Sequence, residues 1–443
     1  MRPFLCLFGA LALTGCLSTP FTTPEVPTPA TFPHGGQASP ETPTPDRWWE
    51  AFADPALDAL VERALASNND LAAAAFKVEA ARDQAGLTRL DQFPSLGGGL
   101  SASAGAGKTT FAASASVSYE VDLWGRLANA SRAANWEAQA TDVDREAAQL
   151  SLIGTVCQLY WQIGYTHQQI ATAGDSLDYA NKLLDLVNIQ HAAGAVSGLE
   201  VAEARQSVNA QTANLADLQQ SLVETRSALT VILGGTPMAE ADEPQSLPDT
   251  PLPEVRAGVP AELLGRRPDL RAAELRLRED LAAVDIARAD LYPPLSLTAS
   301  GGGQSTALAS VLSHASGSLG ASLTLPFLDF PRKRLAIRVS RDQYQAAVLT
   351  FKTTLLQAMA DTDNALSDRT QLMAQAQALA ETLADARKVE ALNAIQYRAG
   401  AIPLKTWLDA QESLRQTQLQ VDNNRLAQRV NQSTLYQALG GGT

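Results

Sequence analysis

The residues best suited to chemistry in this chain are three cysteines, four histidines and a glycine- and lysine-bearing run, and their spacing argues against a catalytic centre. Cys6, Cys16 and Cys157 share no metal-ligand spacing and cannot form a disulfide framework, and the histidines are scattered. No metal site and no cofactor is expected. Ser103-Ala104-Gly105-Ala106-Gly107-Lys108-Thr109-Thr110 has the tail of a phosphate-binding loop, but the motif's first glycine falls on Ala102 and a strand pattern follows where a helix is needed. The run is expected instead to be the external loop between two strands. No Gly-x-Ser-x-Gly elbow occurs, and the carboxylates are spread over helix faces rather than paired in a cleft. Cys157 falls on an apolar stripe, as a small buried side chain does. The chain is not expected to be an enzyme. What remains are charges beside two glycine turns: Glu200 and Glu203 after Gly194, and Lys405, Asp409 and Glu412 after Gly400.

The first of those cysteine neighbourhoods is informative in another way. Arg2 followed by the apolar run Phe4 to Leu13 has the form of a cleaved export signal, too short to remain as a membrane-spanning helix. It ends in Leu13-Thr14-Gly15-Cys16, which resembles the bacterial lipobox, so residues 1–15 are expected to be removed and Cys16 to carry the acyl anchor. Two or more acyl chains, at about 0.8 kcal/mol per buried methylene, anchor a protein stably where one does not. Residues 16–50 are Pro- and Thr-rich without a period, an extended tether. The formal charge of −13 falls to about −14 without Arg2, a balance that repels nucleic acid. Hydrophobic residues reach 45% while aromatics are only 6%, a bias toward long helices packed by small side chains.

The elements that carry these residues come twice. Asp70-Leu71 to Phe93-Pro94 recurs as Asp269-Leu270 to Tyr292-Pro293, at an offset of 199 residues; Trp124-Gly125-Arg126 corresponds to Phe330-Pro331-Arg332, Gly194 to Gly400 and Gly234 to Gly440 at 206. The expected organisation is a first repeat over 51–237, a Pro-rich connector over 238–259 and a second repeat over 260–443. Each repeat holds an amphipathic helix, two strands, a long helix and a returning helix. In the long helix from Arg126 to about Ala192, Val143, Ala147, Leu150, Ile153, Cys157, Tyr160, Ile163, His167 and Ile170 advance by three or four, close to a coiled-coil seam. At 1.5 Å per residue it would be about 100 Å long. The second repeat matches it from Arg332 to Arg398.

The strands alternate with period two. Leu96, Gly98, Leu100 and Ala102 oppose Ser101 and Ser103; Phe111, Ala113, Ala115, Val117, Tyr119, Val121 and Leu123 oppose Ser114, Ser116, Ser118, Glu120 and Asp122. Leu295, Leu297 and Ala299, and then Leu319, Ala321, Leu323, Leu325 and Phe327, repeat the pattern against Ser and Thr. One face suits lipid and the other water, at about the 9–11 residues of a tilted membrane strand. Phe93, Trp124, Tyr292 and Phe330 fall at the helix-proximal ends, where an interfacial aromatic girdle belongs. Four strands cannot close a barrel, since the smallest use about eight, and lipid forbids open edges. The chain must oligomerise.

These residues together resemble the TolC family of outer-membrane factors, in its lipoprotein, NodT-type branch. The likeness runs through Trp48-Trp49-Glu50-Ala51-Phe52-Ala53-Asp54-Pro55, Tyr119-Glu120-Val121-Asp122-Leu123-Trp124-Gly125-Arg126, Leu264-Gly265-Arg266-Arg267-Pro268-Asp269 and Ala438-Leu439-Gly440-Gly441-Gly442. The resemblance implies a mainly α protein with membrane β: a homotrimer whose four strands per chain make a twelve-stranded outer-membrane barrel, with long antiparallel helices forming a periplasmic α-helical barrel. It implies a passive exit duct for a tripartite efflux system, opened at its periplasmic tip by a periplasmic adaptor and an inner-membrane RND-type transporter. By position the tip residues are Gly194, Ser197, Glu200, Glu203, Gly400, Lys405, Asp409 and Glu412. Asp409 matches an acidic residue common near the family's constriction; Lys405 stands where relatives tend to have an apolar residue, Glu412 where they often have a basic one, and Pro331 where they usually have glycine. A type I protein-secretion channel shares the fold and is the alternative; a periplasmic scaffold lipoprotein would leave the alternating strands unexplained.

Overall fold

The computed structural model describes residues 18–35, 47–105, 107–253, 255, 260 and 263–441. Cys16, the segment 1–15 and Gly442 lie outside the described residues. The helices are α1 (Pro55–Ser67), α2 (Asn69–Leu90), α3 (Arg126–Ala192), α4 (Gly198–Ile232), α5 (Leu263–Arg266), α6 (Pro268–Ala289), α7 (Phe330–Arg398) and α8 (Leu404–Ala438); the strands are β1 (Ser95–Gly105), β2 (Lys108–Val121), β3 (Leu295–Ser305) and β4 (Ser316–Leu323). The element order recurs: α2 and α6 are each 22 residues, α3 and α7 are 67 and 69, α4 and α8 are each 35. Two compact units take pieces from both copies, the first Met1–Pro27, Ala74–Arg145 and Pro268–Leu356, the second Thr28–Ala73, Glu146–Arg267 and Gln357–Thr443.

The first unit holds one antiparallel sheet in the order β1-β2-β3-β4. Two strand ends differ from expectation. Leu325 and Phe327 are not in β4, which stops at Leu323, because Pro326 has no N–H to continue a ladder and opens a 3-10 turn over Pro326–Asp329. Leu123 likewise lies beyond β2: its N–H donates to Val121 O at 2.8 Å, and Gly125 then turns the chain at φ +74°. The Asp122 carboxylate accepts from Ala128 N at 2.8 Å and so starts α3. The run Ser103–Thr110 is not a loop: Gly105 pairs with Lys108, so only residues 106–107 connect β1 to β2, with Gly107 at φ +77°. The β3–β4 connection is longer, residues 306–315, and includes a helical turn at Leu308–Ser310.

The second unit packs around α3. Its seam residues Ile153, Cys157, Tyr160 and Ile163 are buried as the spacing predicts, but so are Val156, Trp161 and Thr166 on the adjoining flank. That flank is covered by a short turn, Trp48–Phe52, and by α1, which bring Trp48, Trp49, Phe52, Leu57 and Val61 into one core with Leu229 of α4, Leu247 of the connector and Tyr436 of α8. Trp48 stacks on Tyr436 at 5.0 Å. The connector is tied down by Glu243, almost fully buried, whose carboxylate accepts from Arg226 and meets His167 Nε2, both at 2.7 Å. Burial pushes the Cys157 thiol well above its ordinary range, which suits a packing residue.

Candidate functional site

The sheet is the first functional surface. Directly opposed residues in an antiparallel ladder share a face, so the register sorts the side chains. Leu96, Val117, Ala299 and Leu319 form one cross-strand row, Tyr119, Leu297 and Ala321 another, and Val121, Leu295 and Leu323 a third. On the other face lie Gly97, Ser116, Ser300 and Ser318, then Ser95, Ser118 and Thr298, then Glu120, Ser296 and Ser322. Ser300 and Ser318 hydroxyls meet at 2.8 Å. Among the described residues the outer part of this apolar face is uncovered: Leu96, Leu100 and Leu319 are 84%, 85% and 89% exposed. No helix among the described residues is long and apolar enough to cross a membrane. Strands β1 and β4 are both edges.

The aromatic residues gather where the strands meet the helices of this unit. Trp124 stacks on Tyr292 at 4.7 Å and donates its Nε1–H to Pro293 O at 2.9 Å. Phe93 and Tyr292 precede β1 and β3 and are 54% and 40% exposed. Phe330 is half exposed too, but the Pro326–Asp329 turn separates it from β4 and makes it the first residue of α7. Pro331 follows in the first helical turn, where its missing N–H costs nothing. Beside the belt Arg126 grips Glu120 with both carboxylate oxygens, at 2.8 and 2.9 Å from Nη2.

The second unit contains both glycine turns. At each, the glycine has positive φ, +75° at Gly194 and +73° at Gly400, and its N–H and the next one bond back to helix carbonyls: Gly194 to His191 and Ala195 to Gln190, Gly400 to Tyr397 and Ala401 to Gln396. This double bond pattern ends both long helices identically. The two turns meet over a cluster of Leu183, Val187, Ala204, Ala394, Leu404 and Trp407. Trp407 stacks on Tyr397 at 5.1 Å and donates its Nε1–H to Glu390 at 2.9 Å. Sequence reasoning passed over Trp407; the available signal was a lone tryptophan between Lys405 and Asp409, on the opposite side of α8.

The expected tip charges divide into two kinds. Glu200 is occupied at once, its Oε2 accepting from Ser197 N at 2.6 Å and Ser197 Oγ at 3.1 Å, a cap on α4. Glu412 accepts from Arg415 at 2.9 and 2.5 Å and from Gln416 at 2.9 Å. Burial pushes its carboxyl up, but these donors outweigh burial and hold it below the usual range. Lys405 and Asp409 are paired within α8, Nζ to Oδ1 at 2.8 Å and Oδ2 at 3.0 Å, with both side chains about two-thirds exposed. The pair spans one turn of a single helix. Asp409 is the main cause raising Lys405, and Glu203 of α4 adds to it, so the first turn's acid reaches the second turn's base. A cavity of 390 Å3 is lined in part by Asp175, Tyr179, Leu408, Glu412, Leu414 and Arg415.

A four-stranded sheet with one lipid-suited face, an aromatic belt and helices of this length define a subunit of a membrane channel. The chain belongs to the outer membrane efflux protein family, whose model matches residues 60–235 and 259–441. It is 34% identical over 461 residues to the pyoverdine export outer membrane protein OpmQ of Pseudomonas putida, covering 99% of this chain and 97% of that one. It is 30% identical to the cation efflux system protein CusC of Escherichia coli O6:H1, covering 98% and 97%. Among solved structures, the open state of the Neisseria gonorrhoeae MtrE outer membrane channel superposes with a TM-score of 0.84 at 28% identity, covering 96% of this chain and 98% of that one. The fold class is that of the trimeric outer-membrane channels, with four strands per chain in a twelve-stranded barrel and long antiparallel helices in an α-helical barrel. The chain is an outer-membrane efflux channel that extends into the periplasm, and the secretion alternative falls away.

Proposed function

We propose that three copies of this chain form the passive exit duct of a tripartite pump, loaded by an inner-membrane RND-type transporter through a periplasmic adaptor that engages the turns at Gly194 and Gly400. The observation that carries this is the register: one apolar row crosses all four strands and two more cross three of them on one face, while hydroxyls, glycines and Glu120 lie on the other, and both sheet edges are unpaired among the described residues. Edges left unpaired in hydrocarbon cost several kcal/mol per backbone group, so β4 of one copy must pair with β1 of the next. The inner face offers mostly small hydroxyls, with Glu120 neutralised by Arg126 at its helix-proximal end, rather than a shaped pocket, which suits a duct that leaves selection to its transporter. The relatives' cargoes differ accordingly: pyoverdine for OpmQ, cations for CusC and toluene for a pump component of Pseudomonas putida. Gly194, Ser197, Glu200, Glu203, Gly400, Lys405, Asp409 and Glu412 are assigned to the periplasmic tip; Phe93, Trp124, Tyr292 and Phe330 to the membrane interface; and Cys16 to acylation, which anchors the chain in the same membrane. Native mass spectrometry in mild detergent tests the assembly, with trimers expected; a stable, fully folded monomer overturns it.

A further inference from the structure

Near the start of the described chain, Thr19 is held by a nearly buried carboxylate. Its backbone N–H donates to Asp285 Oδ2 at 2.6 Å and its hydroxyl to Oδ1 at 2.7 Å. Arg288 Nη1 closes the triangle, donating to the same Oδ1 at 2.9 Å and to Thr19 Oγ1 at 2.8 Å. The Asp285 side chain is only 3% exposed, and a carboxylate this deep needs every one of those donors. Two residues on, the Phe21 ring lies 5.0 Å from the Arg278 guanidinium, which is also 5.2 Å from the Trp136 ring of α3. Glu274 fixes Arg278 from one turn earlier in α6, at 2.6 Å.

The duplication shows that these residues are not part of the helix's ordinary packing. At the 199-residue offset, Asp285 corresponds to Gly86, Arg278 to Glu79 and Glu274 to Ala75, and at 206 Trp136 corresponds to Asp342; Arg288 alone has a like counterpart, Arg89. Nothing crowds the first copy's position, since a Cβ at Gly86 would meet no atom within 4 Å. A duplicated chain has two equivalent helices but one N-terminus, and one helix alone carries the charges that receive it. Cys16 lies three residues before Thr19 in the sequence. Asp285 in turn lies near the end of α6, seven residues before Tyr292 of the aromatic belt.

We propose that α6 carries a receptor for the chain's own N-terminal segment, in which Asp285, Arg288 and Arg278 clamp Thr19 and Phe21 a few residues beyond the cysteine assigned to acylation. The link to the lipid anchor rests on the acylation assigned to Cys16; the clamp itself does not. The full chain in lipid nanodiscs is the material for the test, with residue-resolved hydrogen exchange over 18–23 as one readout and labelled-palmitate incorporation as the other. Loss of a hydrogen bond to a charged group corresponds to about a ten- to hundredfold change, so the Thr19 amide should exchange faster by that factor in Asp285→Ala. Thr19→Val, which leaves α6 untouched, should release the same segment even if Asp285→Ala assembles poorly, and Gly86→Asp should change nothing. Faster exchange in both variants with palmitate retained supports the whole proposal. Unchanged exchange in Thr19→Val and Asp285→Ala overturns the clamp. Faster exchange in the variants with no palmitate on the unaltered protein leaves the clamp standing and overturns the anchoring of Cys16.

Discussion

Placing an arginine on each face of β4 separates the lipid-facing side from the lumen. Leu319 stands at the end of the Leu96–Val117–Ala299–Leu319 row and Ser318 is its neighbour on the hydroxyl face, paired with Ser300. The row lies four residues into β3 from Leu295, about 13 Å along a strand at 3.3 Å per residue and roughly 10 Å in depth once a tilt near 40° is allowed for. That is close to the middle of an apolar band about 25 Å tall, where arginine on the lipid face costs about 2–4 kcal/mol. Three copies bring the cost to roughly 6–12 kcal/mol per trimer, as large as the whole stability of an ordinary domain. Leu319→Arg should therefore abolish assembled channel in the outer membrane, whereas Ser318→Arg should assemble and change ion selectivity. The assay is the fraction of heat-modifiable trimer in outer-membrane extracts, followed by reversal potential in planar bilayers under a salt gradient. Assembly of Leu319→Arg at the normal level, together with failure of Ser318→Arg, would invert the faces and refute the assignment.

At the proposed tip, Asp409→Ala and Lys405→Ala should each raise the open probability in single-channel recordings by about a few-fold, because Lys405 is held by Asp409 one turn away and also attracted by Glu203 of α4, so its charge ties the two turns together; unchanged openings in both would make the pair an ordinary solvated helix surface. A pH dependence is expected from Glu279 on α6, whose carboxyl is pushed up to about 7, first by burial and then by the Glu137 carboxylate. Between about 4.5 and about 7 the folded chain holds a proton that the unfolded chain has lost, so stability falls as pH rises through that window; Glu279→Gln should flatten melting temperature against pH there, and an undiminished slope would count against it.

Much of this molecule was legible in one chain of letters, because its patterns are local and repeated. Period-two alternation set the faces of the strands, the three-and-four spacing of Ile153, Cys157, Tyr160 and Ile163 set the seam of α3, and the glycines at 194 and 400 set both turns through backbone conformations that other residues resist. Closure by other copies followed from counting strands. Non-local pairings were decided by tertiary structure. Which strands neighbour each other, and hence that Leu96 and Leu319 end one row across both copies, depends on β2 pairing with β3, separated by most of a repeat. The burial of Trp161 depends on α1 and the Trp48–Phe52 turn folding back over it, and nothing in the period of α3 announces a second cover. Charges were least legible: Glu200, Asp409 and Glu412 look alike in sequence, yet one caps a helix, one pairs with Lys405 and one is held by Arg415. A carboxylate's role is set by the donors within about 3 Å of it, and for Thr19 and Asp285, 266 residues apart, only the folded chain supplies them.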